Sequence, residues 1–190
     1  MTVWHWVRHG PTHQTAFVGW RDVPADLSDT EALQRLSAYL PQDAIVISSD
    51  LSRSVETANA IADGRRRLPH DPHLRELHFG DWDGRHFSDV SAIDPELSRT
   101  YWESPGHHRA PGGESWDMAA NRVTSGVARI NALYPGRHII AVAHFGVILT
   151  QVQACLSLSA KETLGHKIDN LSVTSLDLKA GKALTINHRP

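Results

Sequence analysis

The chain has 190 residues, 41% hydrophobic and 21% charged, with a formal net charge of -2. That describes one soluble globular domain, spanning 1–190, able to bury a core without a metal or a disulfide. The balance argues against a general nucleic-acid binder, and the single cysteine, Cys155, excludes an internal disulfide and points to a reducing compartment. The opening residues lack the charged start and apolar run of a secretory leader. The longest apolar run, 139–149, is broken by His144 and Gly146 and is too short to span a bilayer. A cytoplasmic protein without a membrane partner is therefore expected. In chain order, an apolar run at 3–7 reads as a buried strand. Leu33, Leu36 and Leu40 mark one face of a helix. A second strand is expected at 44–47, and Leu51, Val55, Ala58 and Ala62 mark a second helix. Residues 64–112 hold many of the glycines and prolines with little periodicity, and are expected as loops and short helices over one sheet edge. Trp116, Ala120, Val123, Val127, Ile130 and Tyr134 repeat along a long third helix. A third strand at 139–143 leads into a fourth helix near 146–156, and 172–188 reads as a hairpin around Ala180-Gly181. Strands alternating with helices imply an α/β fold, a three-layer arrangement with a mainly parallel sheet and helices on both faces.

In open α/β sheets ligands bind beyond the carboxyl ends of the strands, so the residues after each strand carry the first functional signal. After the first come Arg8, His9 and Gly10. After the second come Ser48, Ser49, Asp50 and then Arg53. After the third come His144, Phe145 and Gly146. Two arginines and two histidines collected at one edge form an anion site. Asp50 reads as the N-cap of the second helix, which puts Arg53 in its first turn. A cation there opposes the helix dipole, and the cost is offset if guanidinium and helix amides share one anion. Gly146 allows a ligand close to the backbone.

The same residues resemble a known family. Arg8-His9-Gly10-Pro11-Thr12 resembles the signature of the histidine phosphatase superfamily, the phosphoglycerate mutase-like proteins. The segments Phe17-Val18-Gly19-Trp20-Arg21-Asp22-Val23 and Asp26-Leu27-Ser28 look like the stretch that follows it. Ser48-Ser49-Asp50-Leu51-Ser52-Arg53-Ser54 resembles the second arginine motif, and Leu74-Arg75-Glu76-Leu77-His78-Phe79-Gly80 the acidic motif. Pro111-Gly112-Gly113-Glu114-Ser115 opens the long helix as in many members, and Ala143-His144-Phe145-Gly146 resembles the second histidine motif. All stand in family order.

The resemblance implies a phosphoglycerate mutase-like fold in which part of 64–112 caps the site. It implies that His9 is the nucleophile forming a phosphohistidine, that Arg8, Arg53 and His144 surround the phosphoryl oxygens, and that Glu76 is general acid and then general base. Thr12, Thr15, Gly19 and Phe145 fall at substrate-facing positions. No metal and no cofactor are implied. The partner is a small phosphorylated metabolite.

Departures from the pattern bear on the substrate. Pro11 stands where many members carry glutamate, Thr15 where many carry asparagine, and Phe145 where glycine is usual. Val18 and Leu77 stand where mutases carry threonine and arginine, which makes the pocket less suited to a second anionic group. A mutase also needs a water-excluding lid with extra cations. Residues 85–112 offer mainly Arg85, Arg99, His107, His108 and Arg109, so hydrolysis is favoured over phosphoglycerate mutase-type transfer. A non-catalytic phosphate-binding module is disfavoured, because every implied catalytic group is present. His70 and His73 with Asp71, or His107 and His108, could be imagined as metal ligands, but no zinc spacing is present. Arg65-Arg66-Arg67, the basic run, reads as a solvated loop after a helix, and the tryptophans as core or cap packing.

Overall fold

The structure is a computed structural model that describes residues 2–190, and Met1 of the expected domain lies outside them. Strand β1 (Val3–Arg8) is followed by helix α1 (Thr30–Tyr39), strand β2 (Ile45–Ser48), helix α2 (Ser52–Ala60) and a two-residue strand β3 (Arg66–Arg67). Two single-turn 3-10 helices, at Pro72–Leu74 and Gly80–Trp82, lead to the short helices α3 (Phe87–Ile93) and α4 (Pro95–Glu103). Helix α5 (Trp116–Leu133), strand β4 (His138–Ala143), helices α6 (Phe145–Leu156) and α7 (Ala160–Leu164) and strands β5 (Val173–Asp177) and β6 (Lys182–His188) complete the order.

The strands form one sheet in the order β3-β2-β4-β1-β5-β6. β1, β2, β3 and β4 run parallel, while β5 pairs antiparallel with β1 and β6 antiparallel with β5. The sheet is therefore mixed, its parallel half extended by the terminal hairpin. Helices cover both faces as the alternation of patterns implied. Trp4 and Trp6 share one face with Ile45, Ile47, Ile139 and Ala141, packed against Trp116, Val123 and Val127 of α5 and Ile148 and Leu149 of α6. Val7, Val46, Ile140 and Val142 form the other face, against Leu33 and Leu36 of α1 and Ala58 of α2. The period of two in each strand sends alternate side chains to the two layers.

Two expectations about local structure are corrected. Asp50 does not cap α2. Leu51 occupies the cap position with no side-chain bond, and the Asp50 carboxylate instead takes a bidentate pair from Arg75, at 2.7 and 2.6 Å. A fork-to-carboxylate pair of charged partners is stronger than one neutral cap bond. The basic run is not a solvated loop either. Arg65 is 6% exposed and donates to the carbonyls of Ser37, Leu40, Pro41, Ile61 and Ala62. It thus caps the converging C-terminal ends of α1 and α2, which favour a cation. Arg66 and Arg67 form the edge strand β3.

Register positions the site. Arg8 pairs with Ala143, and Ser48 with Val142. The amides of His9 and Ser49 continue the ladder to the carbonyls of Ala143 and Val142, each at 3.1 Å. The residues after β1, β2 and β4 therefore emerge side by side.

Candidate active site

A cleft of about 220 Å³ opens at this edge. Its charged or titratable lining is Arg8, His9, Arg53 and Glu76. Thr12 and Gln14 are its polar remainder, and Ala16, Phe17, Val18, Phe79 and Phe145 are apolar.

His9 is 6% exposed, and its Nδ1 lies 2.7 Å from the carbonyl of Gly10. A carbonyl only accepts, so Nδ1 carries the proton and the lone pair is on Nε2. Burial first, then the Arg53 charge and that of Arg8, hold the His9 pKa down at about 3, against the opposing Gly10 bond. The ring is neutral at physiological pH. Its backbone is fixed by Asn170, whose Nδ2 donates to the His9 carbonyl at 2.8 Å. Thr57 Oγ1 accepts the Gly10 amide at 3.0 Å.

Arg53 projects from the first turn of α2 and is fully buried. Nη2 donates to the Gly19 carbonyl at 2.7 Å, Nη1 to that of Arg21 at 3.0 Å, and Nε to His144 Nδ1 at 3.2 Å. The last bond makes Nδ1 of His144 an acceptor, so its proton sits on Nε2, 3.3 Å from Ser54 Oγ. Burial and the neighbouring Arg53 hold His144 well below the ordinary histidine range, which keeps it neutral. The His9 and His144 rings meet edge to face with centroids 5.1 Å apart. Arg8 donates from Nη1 to the Ile168 carbonyl at 2.7 Å and lies over the Phe145 ring at 5.5 Å. Among the described residues its Nε is buried without a partner.

Glu76 is 8% exposed. Oε1 accepts from the amides of Leu77 at 3.0 Å and Gly146 at 3.1 Å, in the first turn of α6. Burial raises its pKa above the usual carboxylate value, against those amides and the two arginines. A carboxyl tuned upward beside a neutral imidazole is the pairing that separates an acid from a nucleophile.

The structure therefore brings Arg8, His9, Arg53, Glu76, Thr12 and Phe145 to one cleft, with His144 behind Arg53 and against His9. Gly19 is buried, its carbonyl taken by Arg53 and its amide donating to Asp83 at 3.0 Å. Thr15 is exposed and not among the lining residues. The arginines of 85–112 do not line the cleft. Arg85 donates to the Asp81 carbonyl, Arg99 to Glu103 and Arg109 to the Gly113 carbonyl. Of the histidines weighed as metal ligands, His70 meets Ser48, His73 meets Asp71, and His107 packs on His108.

One supporting group escaped the sequence reading. Arg122 of α5 makes a bidentate pair with Glu114, both bonds 2.8 Å. It also donates to the carbonyls of His73, Arg75 and Glu76. Trp20 Nε1 adds a bond to the Glu76 carbonyl at 2.7 Å. Together they fix the segment that carries Glu76. In sequence Arg122 is one more polar residue on the outer face of an amphipathic helix, so no local signal marks it.

The chain is similar to known proteins in sequence and in fold. The sequence pattern of the histidine phosphatase superfamily (branch 1) matches residues 5–188. The chain is 33% identical over 189 residues to phosphoglycerate mutase-like protein 4 of Arabidopsis thaliana, covering 95% of this chain and 81% of that protein. It is 27% identical over 185 residues to the adenosylcobalamin/alpha-ribazole phosphatase of Salmonella typhimurium, covering 93% and 91%. The solved structure of a mycobacterial glucosyl-3-phosphoglycerate phosphatase superposes with a TM-score of 0.84 at 26% identity, covering 99% of each chain.

Proposed function

Because this chain belongs to the histidine phosphatase superfamily, branch 1, we propose that it hydrolyses phosphomonoesters of small metabolites through a phosphohistidine on His9. The observation that carries the reading is the Gly10 carbonyl on His9 Nδ1, which leaves Nε2 as the unprotonated nitrogen of a ring in a cleft with two guanidiniums and a carboxyl.

In the first step Nε2 attacks phosphorus in line and the bond from phosphorus to the ester oxygen breaks. Glu76, whose pKa burial raises, is the acid that gives its proton to the departing alcohol. Arg8 and Arg53 hold the charge on the phosphoryl oxygens, the larger part of catalysis in such transfers. In the second step water attacks phosphorus, the Glu76 carboxylate takes its proton, and the bond from Nε2 to phosphorus breaks to release phosphate. His144 supports Arg53 and, as a neutral ring, leaves the positive charge to the arginines. Thr12 and Phe145 line the substrate side. Part of 64–112 serves as the cap, through Glu76 and Phe79.

Hydrolysis rather than mutase-type transfer is favoured by where the remaining cations point. Arg85, Arg99 and Arg109 bind backbone or Glu103 and leave the cleft without the extra charge a retained sugar acid needs. The protein is assigned to the cytoplasm. Cys155 is free and buried, and among the described residues no helix is long and apolar enough to cross a membrane.

The test is phosphate release from an aryl phosphate, with rapid quenching to trap the enzyme-bound phosphoryl group. The trapped group should be acid-labile and alkali-stable, as a phosphohistidine is, and absent in His9→Ala. Equal turnover by wild type and His9→Ala would overturn the assignment.

A further inference from the structure

The cleft's charge inventory says more than that a phosphoryl group binds. Its two cations, Arg8 and Arg53, are both committed to the phosphoryl oxygens in the mechanism above, and its remaining charged group, Glu76, is an acid. A second anion on the substrate would meet no counter-charge there. Other arginines nearby do not line the cleft. Arg21 reaches Gln14 at 3.4 Å and faces Asp83 at 3.9 Å, whose carboxylate compensates it. Arg85 and Arg109 donate to the backbone carbonyls of Asp81 and Gly113.

Beside the neutral polar Thr12 and Gln14, the rest of the lining is apolar. Phe17, Phe79 and Phe145, with Ala16 and Val18, form the apolar side. The wall is braced from behind. The Phe17 ring meets Phe79 at 5.1 Å and stacks on Trp102 of α4 at 5.9 Å with the planes 7° apart. Phe145, at the first residue of α6, lies over the Arg8 guanidinium. It therefore sets an aromatic face of the cleft directly beside the phosphoryl-holding cation. Rigid aromatic walls favour flat apolar groups and offer a carboxylate no counter-charge, leaving it the neutral Thr12 and Gln14 alone.

We infer that the substrate is a phosphomonoester whose alcohol part is uncharged and carries an apolar, preferably planar, group, and that Phe145 sets this preference. The inference rests on the phosphatase reading for its geometry. Sugar acids and bisphosphates are the class it excludes.

Three alkyl phosphates of comparable leaving-group reactivity provide the test: 2-phenylethyl phosphate, glycerol 3-phosphate and 3-phosphoglycerate. The kcat/KM for the phenylethyl ester should exceed that for 3-phosphoglycerate by at least about tenfold, since apolar pockets discriminate by about 10–200-fold per missing group. Phe145→Ala should reduce that ratio by about tenfold, with Phe145→Leu between. Calorimetry on wild type with two non-hydrolysable ligands, 2-phenylethylphosphonate and 3-phosphonopropionate, reads the same preference without turnover, and the aryl ligand should bind more tightly. No phosphate release from any ester, with the binding order intact, would remove the phosphatase reading and leave the class of ligand standing. Equal or tighter binding of the carboxylate ligand, or a ratio unmoved by both Phe145 variants, would overturn the inference.

Discussion

Gly146→Ala perturbs Glu76 through its neighbour, without substituting a reacting group. A Cβ at Gly146 would collide with Leu77 Cδ1 and lie 2.6 Å from Glu76 Oε1. The Gly146 amide, which holds Glu76 at 3.1 Å, would be pushed off line at the same time. Two costs follow. Overpacking a filled site costs about 1–3 kcal/mol, and alanine in a helix returns at most about 1 kcal/mol. A net loss of about 1–2 kcal/mol lowers the Tm of a chain this size by about 2–8 °C. The catalytic cost is larger. A charge-assisted bond is worth about 1.5–3 kcal/mol, and a general acid contributes about 10²–10⁴-fold. The assay compares two esters. An alkyl phosphate, whose alcohol must be protonated as it leaves, should lose about 10²-fold in kcat/KM, and an aryl phosphate with an acidic phenol less than about tenfold. The pH profile supplies the sign. The Gly146 amide lowers the Glu76 pKa in the intact protein. Losing it raises that pKa, so the alkaline limb of kcat/KM, where Glu76 loses its proton, moves to higher pH. Equal losses for both esters with an unmoved limb would refute the placement of Glu76 as acid.

Arg53→Lys keeps the charge but not the fork that spans the Gly19 and Arg21 carbonyls; kcat on an aryl phosphate should fall by about 10²–10³-fold, as for one lost oxyanion donor. Arg122→Gln leaves the Glu114 carboxylate, 13% exposed, without its partner; a loss of about 3 kcal/mol should appear in urea melts, since breaking a buried pair strands a charge. His5 is buried against Ser175 and His138, at 2.8 and 3.0 Å. Burial first, then His138, lower its pKa from 6.5 to about 4. The unfolded chain binds more protons between those values, so stability rises with pH across that window and is lost on acidification, by on the order of 3 kcal/mol for this group. His5→Gln should flatten the slope of unfolding free energy between pH 4 and 6.5, and an unchanged slope would exclude His5 as a source.

The framework of the fold was legible because its signals are local. The strands at 3–7, 44–47 and 139–143 declare themselves as short apolar runs, α1, α2 and α5 by period, and α6 as the apolar stretch that follows the third strand. Elements too short for a period were not. β3 is two arginines. Helix α7 has five residues, though its capping box at Ser159 and Glu162 is readable in hindsight. The split in the sheet, parallel through β4 and antiparallel from β5, lies in pairing rather than pattern. Only the hairpin at 172–188 hinted at it.

The site divides along the same line. Most of its groups stand at strand ends, each in a short contiguous block: Arg8 and His9 at the end of β1, Arg53 after β2, His144 after β4; Glu76 follows no strand and was legible only through the family resemblance. What holds them in place is non-local. Arg53 meets His144 across 91 residues, Glu76 meets Gly146 across 70, and Arg122 meets Glu76 across 46. Asp50 shows how a local rule fails here. Aspartate is among the preferred N-caps, yet Asp50 stands one residue before the cap position, and a guanidinium 25 residues away forms two charge-assisted bonds where a cap offers one. Arg65 fails in the opposite sense. An arginine run after a helix looks solvated unless the carbonyl ends of α1 and α2 are known to meet there. Chemistry at strand ends is thus exposed to a reader of sequence, while the pairs that tune and fix it are set by the packing of helices.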